Sequence, residues 1–301
     1  MLARLQQFIT ASLLVLAISW VAWFYKTAPA LAVMGCLFIL FGYAGFLGVE
    51  FLLLRRVNKA DPAPPATAGE LFSAWLGETL VAPGIFCWRQ PFRANAIPDK
   101  LAAQCVVKGK RGVVFIHGFF CNRGFWNPWL ARLQGSGQAF VALSLEPVFG
   151  SIDDYTPQIE AAVQQVTQAT GLPPLLVCHS MGGLAARAWL QTMRADGRVF
   201  HIVTIGTPHR GTWLARFSHS LNGQQMRLAS SWQSGLDQDA PSQRPTLFTC
   251  WYANSDNIVF PASTATLPGA NNRLLRGKAH VQMAFAPQVV NETLALLSSD
   301  G

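Results

Sequence analysis

The chain predicts an α/β fold: a mostly parallel sheet with helices on both faces, preceded by a two-helix transmembrane hairpin. Three observations carry this. Strand-like apolar runs alternate with helical stretches from residue 111 onward, the rhythm of a parallel sheet with crossover helices. One run, Leu175-Leu176-Val177, passes through Cys178-His179-Ser180-Met181-Gly182 directly into the helical pattern of 183–190. Two long runs, 8–25 and 28–49, carry no charged side chain and approach or exceed the roughly 20 residues needed to cross a bilayer.

The elements follow in order. Residues 1–59 form the hairpin, with helices at about 8–25 and 28–54, a short Lys26-Thr27 connection, and Trp20, Trp23 and Tyr25 gathered near the hairpin end like an interfacial aromatic belt. The other readings are a cleaved signal peptide, for which Ala28-Pro29-Ala30 and Ala30-Leu31-Ala32 offer small-residue sites, and a soluble helical hairpin. Residues 60–69, rich in Pro and Ala, read as a linker. A catalytic domain then spans 70–301. It opens with a helix from Glu70 to about Leu80, followed by strands at 111–116 and 138–145. A helix over 155–169 shows Ile159, Ala162, Val163 and Val166 on one face and is closed by Gly171. Beyond it come the strand 175–178, the helix 184–193 and the strands 200–205 and 246–253. The insertion at about 211–245, with Trp213, Leu214, Phe217, Leu221, Met226, Leu228 and Trp232, reads either as a lid over an acyl pocket or as a helix pair covering the core. Phe119, Phe120, Phe125 and Trp126 are candidates for the pocket mouth or for plain packing.

Composition bounds the function. Charged residues make up 13% of the 301, well below the ~25% of an ordinary soluble domain, because the hairpin is almost uncharged. The net charge is +8, and Arg4, Lys26, Arg55, Arg56 and Lys59 against Glu50 account for half of it. The remainder forms no dense basic stripe, so nucleic acid is not an expected partner. The basic residues after the second run are placed to meet anionic lipid headgroups. By the positive-inside tendency both ends of the hairpin, and with them the catalytic domain, face the cytoplasm. Six cysteines, Cys36, Cys87, Cys105, Cys121, Cys178 and Cys250, show no paired metal-ligand spacing. That pattern fits a reduced compartment, and neither a metal nor a cofactor is expected.

The chemistry centres on Ser180. A serine on a tight strand-to-helix turn is the arrangement of a nucleophile elbow, where only small neighbours fit. Gly182 meets that need, and Cys178, a small side chain, stands at the other flanking position. A serine hydroxyl needs a base, a group that orients the base, and donors for the oxyanion. The expected donors are the backbone N–H of Phe119, in the His117-Gly118-Phe119 turn after an early strand, and that of Met181, the residue after the nucleophile. Asp256 follows a late strand, on the rim where open α/β sheets build their sites, and is the expected orienting acid. Asp237 and Asp239 compete but lie in a polar, loop-like stretch. His280, last in chain order and on a loop before the final helix, is the expected base.

These residues resemble the α/β-hydrolase superfamily, and within it the bacterial triacylglycerol lipases and related esterases, over about residues 85–298. The resemblance rests on Val114-Phe115-Ile116-His117-Gly118-Phe119, on His179-Ser180-Met181-Gly182-Gly183-Leu184, and most specifically on 203–212, which ends Gly206-Thr207-Pro208-His209-Arg210-Gly211-Thr212. It implies a Ser180–His280–Asp256 triad, an acyl-enzyme intermediate and an ester or lipid substrate; with the apolar hairpin ahead of it, the expected location is a bacterial inner membrane. Many such secreted lipases hold a calcium through an aspartate two residues after the catalytic histidine. Gln282 stands there, so no calcium is carried over. The expected activity is hydrolysis of carboxylic esters. The alternatives are acyl transfer to an alcohol by the same triad, and a non-catalytic membrane protein using the fold for binding or assembly. The sequence does not set the oligomeric state.

Overall fold

The structure is a computed structural model and describes residues 1–102, 106–238 and 240–298. Six strands form one sheet: β1 (Val113–Ile116), β2 (Phe140–Ala142), β3 (Leu175–His179), β4 (His201–Ile205), β5 (Phe248–Ala253) and β6 (Asn271–Leu275). Their order is β2-β1-β3-β4-β5-β6, and every neighbouring pair is parallel. The chain steps from β1 to β2 on one side, then crosses back to place β3 on the other. This reversal opens a crevice at the carboxyl ends of β1 and β3, where open α/β sheets bind ligands. The registers Ile116↔Cys178, His179↔Ile205 and Ile205↔Trp251 level those strand ends. The turns after β1, β3, β4 and β5 therefore share one rim.

Alternation sends side chains to two cores. Val114, Ile116, Leu176 and Cys178 face α6 (Thr156–Thr170) and α7 (Met181–Met193), which contributes the fully buried Trp189. Val113, Phe115, Leu175 and Val177 face α5 (Asn127–Leu133) and α11 (Pro287–Ala295), with Trp126 and Trp129 between. Both faces of the strands are buried, which is why they read as continuous apolar runs. Strand β6 was not expected. Its sequence, Asn-Asn-Arg-Leu-Leu, is polar because it lies at the sheet edge with its first two residues exposed. The insertion after β4 forms short helical pieces: a 3-10 turn at Trp213–Phe217, then α8 (Leu221–Gln225) and α9 (Ser231–Gln238). It is tied down by the buried Asn222, whose amide donates to the Val148 carbonyl at 2.8 Å.

Ahead of the sheet, α1 (Leu2–Phe24) and α2 (Pro29–Val57) pair as a hairpin. The Trp20 indole donates to the Leu31 carbonyl at 3.0 Å, and Gly35 leaves room for its ring. Helix α1 begins ahead of the expected 8–25, and α2 runs past the end of the expected 28–54. The helix foreseen from Glu70 to about Leu80 also extends further. Helix α3 (Ala68–Pro83) starts at a Thr67/Glu70 capping box and continues through a π-helical turn (Gly84–Arg89) into α4 (Gln90–Phe92). Pro83 and Gly84 look like terminators in sequence, but the Thr79 carbonyl left free by the missing proline N–H accepts the Tyr43 hydroxyl of α2 at 2.7 Å, and the helix continues. As a result Leu2–Phe24, Pro29–Ala60 and Ala68–Phe92 are all long and apolar enough to cross a membrane, one more than the sequence indicated. The inner face of the third is committed to the domain. Ala74 packs with Phe51 and Leu54 of α2 and with Phe260 and Ala279, and Ile85 sits in the second core. Its outer face presents Phe72, Leu76, Leu80, Trp88 and Phe92, all exposed.

Candidate active site

Ser180 sits between β3 and α7 with φ 54° and ψ −127°, a region L-residues avoid. Three contacts hold it there. Its N–H donates to Ile205 O at 2.9 Å, and its carbonyl accepts from the Thr207 hydroxyl at 2.8 Å and the Gly183 N–H at 3.1 Å. The small neighbours are obligatory. A Cβ on Gly182 would lie 2.4 Å from Ile116 O, and one on Gly118 would lie 2.7 Å from the Ser180 Cβ. Cys178 is fully buried in the strand, and burial pushes its thiol pKa up.

His280 opens the four-residue helix α10 (His280–Met283) and is 4% exposed. Its Nδ1 donates to both Asp256 oxygens, at 2.9 and 3.0 Å, which leaves Nε2 as the nitrogen free to work. Asp256, 1% exposed, also accepts the Ile258 and Val259 N–H groups at 3.0 and 2.8 Å. Burial opposes charging of His280, but the Asp256 charge and hydrogen bond outweigh it, so the imidazole pKa is raised. Gly206, next to the Ile205 that holds Ser180, has φ 59°, and a Cβ there would come within 3.0–3.1 Å of Asp256 Oδ2 and His280 Nδ1. The His179 ring lies 4.6 Å from the His280 ring, centre to centre. Ser180, Asp256 and His280 are thus gathered on one rim.

The His117 turn is held by its own imidazole. Leu145 N–H donates to Nε2 at 2.9 Å, so Nδ1 carries the proton and donates to Gly118 O at 2.8 Å. Burial pushes the His117 pKa down to about 4, which keeps this neutral tautomer. Among the described residues, neither the Phe119 nor the Met181 N–H donates to a protein acceptor outside α7. Phe119 and Phe120 are half-buried at the rim and meet Phe149 at ring distances of 5.8 and 6.3 Å. Phe125 and Trp126, candidates for the same mouth, are fully buried instead. They are core residues, with Phe125 stacked on His179 at 4.5 Å.

The competing acid Asp237 pairs with Arg187 and is 62% exposed, whereas Asp239 lies outside the described residues, as does Cys105. His209 is buried against Thr204 and Cys250, away from the rim. Sequence reasoning missed the residues that zip the acid loop to the base loop. Asn254 Oδ1 accepts from Gly277 N, Ser255 Oγ donates to Lys278 O, and Asn257 Oδ1 accepts from His280 N, at 3.1, 3.1 and 3.2 Å. A polar Asn-Ser-Asp-Asn run that is wholly buried is the signal that marks them. Gln282 turns its side chain inward, where Oε1 accepts from Ala279 N at 3.3 Å and the amide fills the space left by Gly77 of α3.

A profile of the alpha/beta hydrolase family matches residues 113–290, which takes in the whole sheet and every residue of this rim. The chain belongs to that family. Helices α1 to α4 precede the matched region. This α/β-hydrolase is 28% identical over 238 residues to a triacylglycerol lipase of Burkholderia plantarii, an overlap of 68% of this chain and 65% of that protein. It is 28% identical over 221 residues to a triacylglycerol lipase of Pseudarthrobacter phenanthrenivorans, covering 63% and 67%. The chain therefore spans about two thirds of the length of these relatives. Two solved structures share the fold. Mature Bacillus licheniformis lipase BlEst2 gives a TM-score of 0.55 at 18% identity, over 64% of this chain and 94% of that one. Aspergillus fumigatus lipase B gives 0.58 at 19%, over 69% and 57%.

Proposed function

We propose that this protein is a membrane-anchored serine hydrolase that cleaves carboxylic esters of lipid-like character. The observation that carries the reading is the buried Asp256–His280 contact beside a serine in a strained, left-handed turn. That combination supplies a base, its orienting acid and a nucleophile. In the mechanism, His280 Nε2 takes the proton of Ser180 Oγ as the oxygen attacks the ester carbonyl. The Phe119 and Met181 N–H groups receive the oxyanion, each donor lowering the barrier by roughly 3 kcal/mol. His280 then gives its proton to the departing alkoxide, leaving Ser180 acylated. Water, deprotonated by His280, attacks the acyl-enzyme, and the carboxylic acid leaves with Ser180 restored. Asp256 stabilises the imidazolium and keeps Nδ1 protonated throughout.

The triacylglycerol lipase names of the bacterial relatives support an ester substrate of lipid-like character. The anchor is assigned to residues 1–59, the linker to 60–69 and the catalytic domain to 70–301, with the 211–245 insertion as the lid. The exposed apolar surface of α1 and α2, including Phe8, Ile18, Trp23, Phe38 and Phe46, supports insertion in a bilayer. Helix α1, with 23 residues, reaches about 35 Å, enough to span ~30 Å of hydrocarbon. Arg4, Arg55, Arg56 and Lys59 at the open end, against Lys26 at the tip, support a cytoplasmic catalytic domain, at the inner membrane of a bacterium.

The test is the hydrolysis rate across esters of increasing acyl length, in detergent, with Ser180→Ala as control. Rates that rise with chain length and vanish in the variant are expected. Activity confined to short chains would contradict the lipid-like substrate. No hydrolysis, with product formed only when an acceptor alcohol is added, would make the protein an acyltransferase.

A further inference from the structure

Two buried carboxylates outside the triad converge on the loop that carries His280, and both come from helices ahead of the residues that the family profile matches. Glu78 of α3 is 3% exposed; its Oε1 accepts the Val281 N–H at 3.0 Å and its Oε2 the Gln282 N–H at 2.9 Å. Glu50 of α2 is 6% exposed; its Oε2 accepts from the Asn257 side-chain amide at 2.7 Å. The carbonyl oxygen of that same Asn257 side chain accepts the His280 N–H at 3.2 Å. The three first-turn N–H groups of α10, at His280, Val281 and Gln282, are thus satisfied in trans by Asn257 and Glu78.

This matters because α10 has four residues. A helix that short has almost no intrahelical bonds of its own and is marginal alone. Its position is set by what caps it. Burial pushes the Glu78 carboxyl up to about 7, and above that pH it is an ionised acceptor on two backbone N–H groups, among the stronger hydrogen bonds. The Asp256 contact fixes the ring of His280, while the cap fixes the backbone from which the ring projects. Removing the cap leaves buried N–H donors unpaired, and such groups are expensive.

We propose that Glu78 of α3 and Glu50 of α2 are positioning residues for His280, Glu78 by capping α10 directly and Glu50 by orienting Asn257. The N-terminal helices then complete the active site as well as tethering it. The proposal rests on the serine-hydrolase reading for its consequence in turnover, and on the hydrogen bonds alone for its structural content.

Glu78→Gln preserves shape but turns an amide NH₂ toward one of the two N–H donors. It is expected to lower kcat about ten- to hundredfold, as sub-ångström misplacement of a catalytic group does, with KM little changed. Glu50→Gln keeps an acceptor for Asn257 and removes the charge, so it is read by the titration of His280 and not by kcat. Glu50→Leu orphans the Asn257 amide and should lower kcat as Glu78→Gln does. A second readout is independent of turnover: the titration of the His280 ring by ¹⁵N-histidine NMR on the full chain in detergent micelles, assigned with His280→Asn. The ionisable groups facing this ring are Asp256, His179, Glu78 and Glu50. Above about pH 7, where the Glu78 carboxyl is ionised, the glutamates favour the imidazolium, so loss of either should move the midpoint to lower pH. An unmoved midpoint in folded Glu78→Gln and Glu50→Gln, with kcat unchanged in Glu78→Gln and Glu50→Leu, would overturn the proposal. If Glu78→Gln fails to fold, Glu50→Gln and Glu50→Leu decide it alone. A midpoint that moves as expected in a wild-type protein that hydrolyses no ester would support the hold on His280 and overturn the hydrolase reading.

Discussion

Replacing Asp256 with asparagine separates the charge of this acid from its shape. Asp256 Oδ1 accepts the Ile258 and Val259 N–H groups at 3.0 and 2.8 Å, so an asparagine would keep its carbonyl oxygen there. Its NH₂ would then point at His280 Nδ1, where the carboxylate now accepts at 2.9 Å. An NH₂ donates, and the carbonyl oxygen, though 3.0 Å from Nδ1, is already engaged by two backbone N–H groups, so Nδ1 becomes the acceptor and the proton moves to Nε2. That tautomer cannot take the Ser180 proton. Asp256 and His280 are 1% and 4% exposed, so no solvent can restore the contact. The same exchange in a serine protease costs about 10⁴ in kcat, equivalent to about 5.4 kcal/mol of barrier. The assay is kcat/KM on a soluble ester across pH, with Tm as control. Turnover should fall about 10⁴-fold with a small loss of Tm, because both backbone bonds persist. The wild-type acid limb should lie above pH 6.5, since the His280 pKa is raised and only its neutral form accepts a proton. In the variant the limb should move to lower pH. A loss of less than about tenfold in a folded variant would refute the reasoning and reduce Asp256 to a turn residue.

Other perturbations probe the frame around the site. Gly182→Ala puts a methyl 2.4 Å from Ile116 O, a backbone atom at the carboxyl end of β1; both activity and stability should fall, and a variant with wild-type turnover would contradict the close approach. Phe125→Ala empties a fully buried position stacked on His179; it should cost about 3–5 kcal/mol and lower Tm by on the order of 10 °C, and a Tm drop under about 3 °C would argue against that packing. His117 is held neutral with its pKa pushed down to about 4. Between pH 6.5 and 4 the unfolded chain binds a proton that the folded one refuses, so stability falls as pH falls, by about 3 kcal/mol over the window. The pH slope of Tm should therefore be shallower in His117→Gln, and equal slopes would contradict the assignment.

Much of the domain was legible because local patterns and global fold agree. The buried strands β1, β3 and β4 have no polar face, so they read as apolar runs. Ser180, Asp256 and His280 stand out because the turns that carry them sit at strand ends in a fixed chain order. The parts that were not legible depend on contacts distant in sequence. Strand β6 pairs at an edge and looks like a loop. Phe125 and Trp126 look like pocket aromatics until the sheet places them in its core. Glu78 is a buried acceptor for amides some two hundred residues away, and nothing near it in sequence marks it as such. The continuation of α3 past Pro83 is invisible for the same reason: proline is a terminator in nearly every local rule, and the freed Thr79 carbonyl finds its donor in Tyr43, distant in sequence.

The most direct test of the central claim is mass-spectrometric mapping of the adduct formed by a long-chain alkyl fluorophosphonate on the detergent-solubilised full chain. A single adduct on Ser180 is predicted, absent from Ser180→Ala and slowed by about 10⁴ in Asp256→Asn. A folded wild-type protein that forms no adduct, or forms it on another residue while Ser180 stays unmodified, would contradict the account.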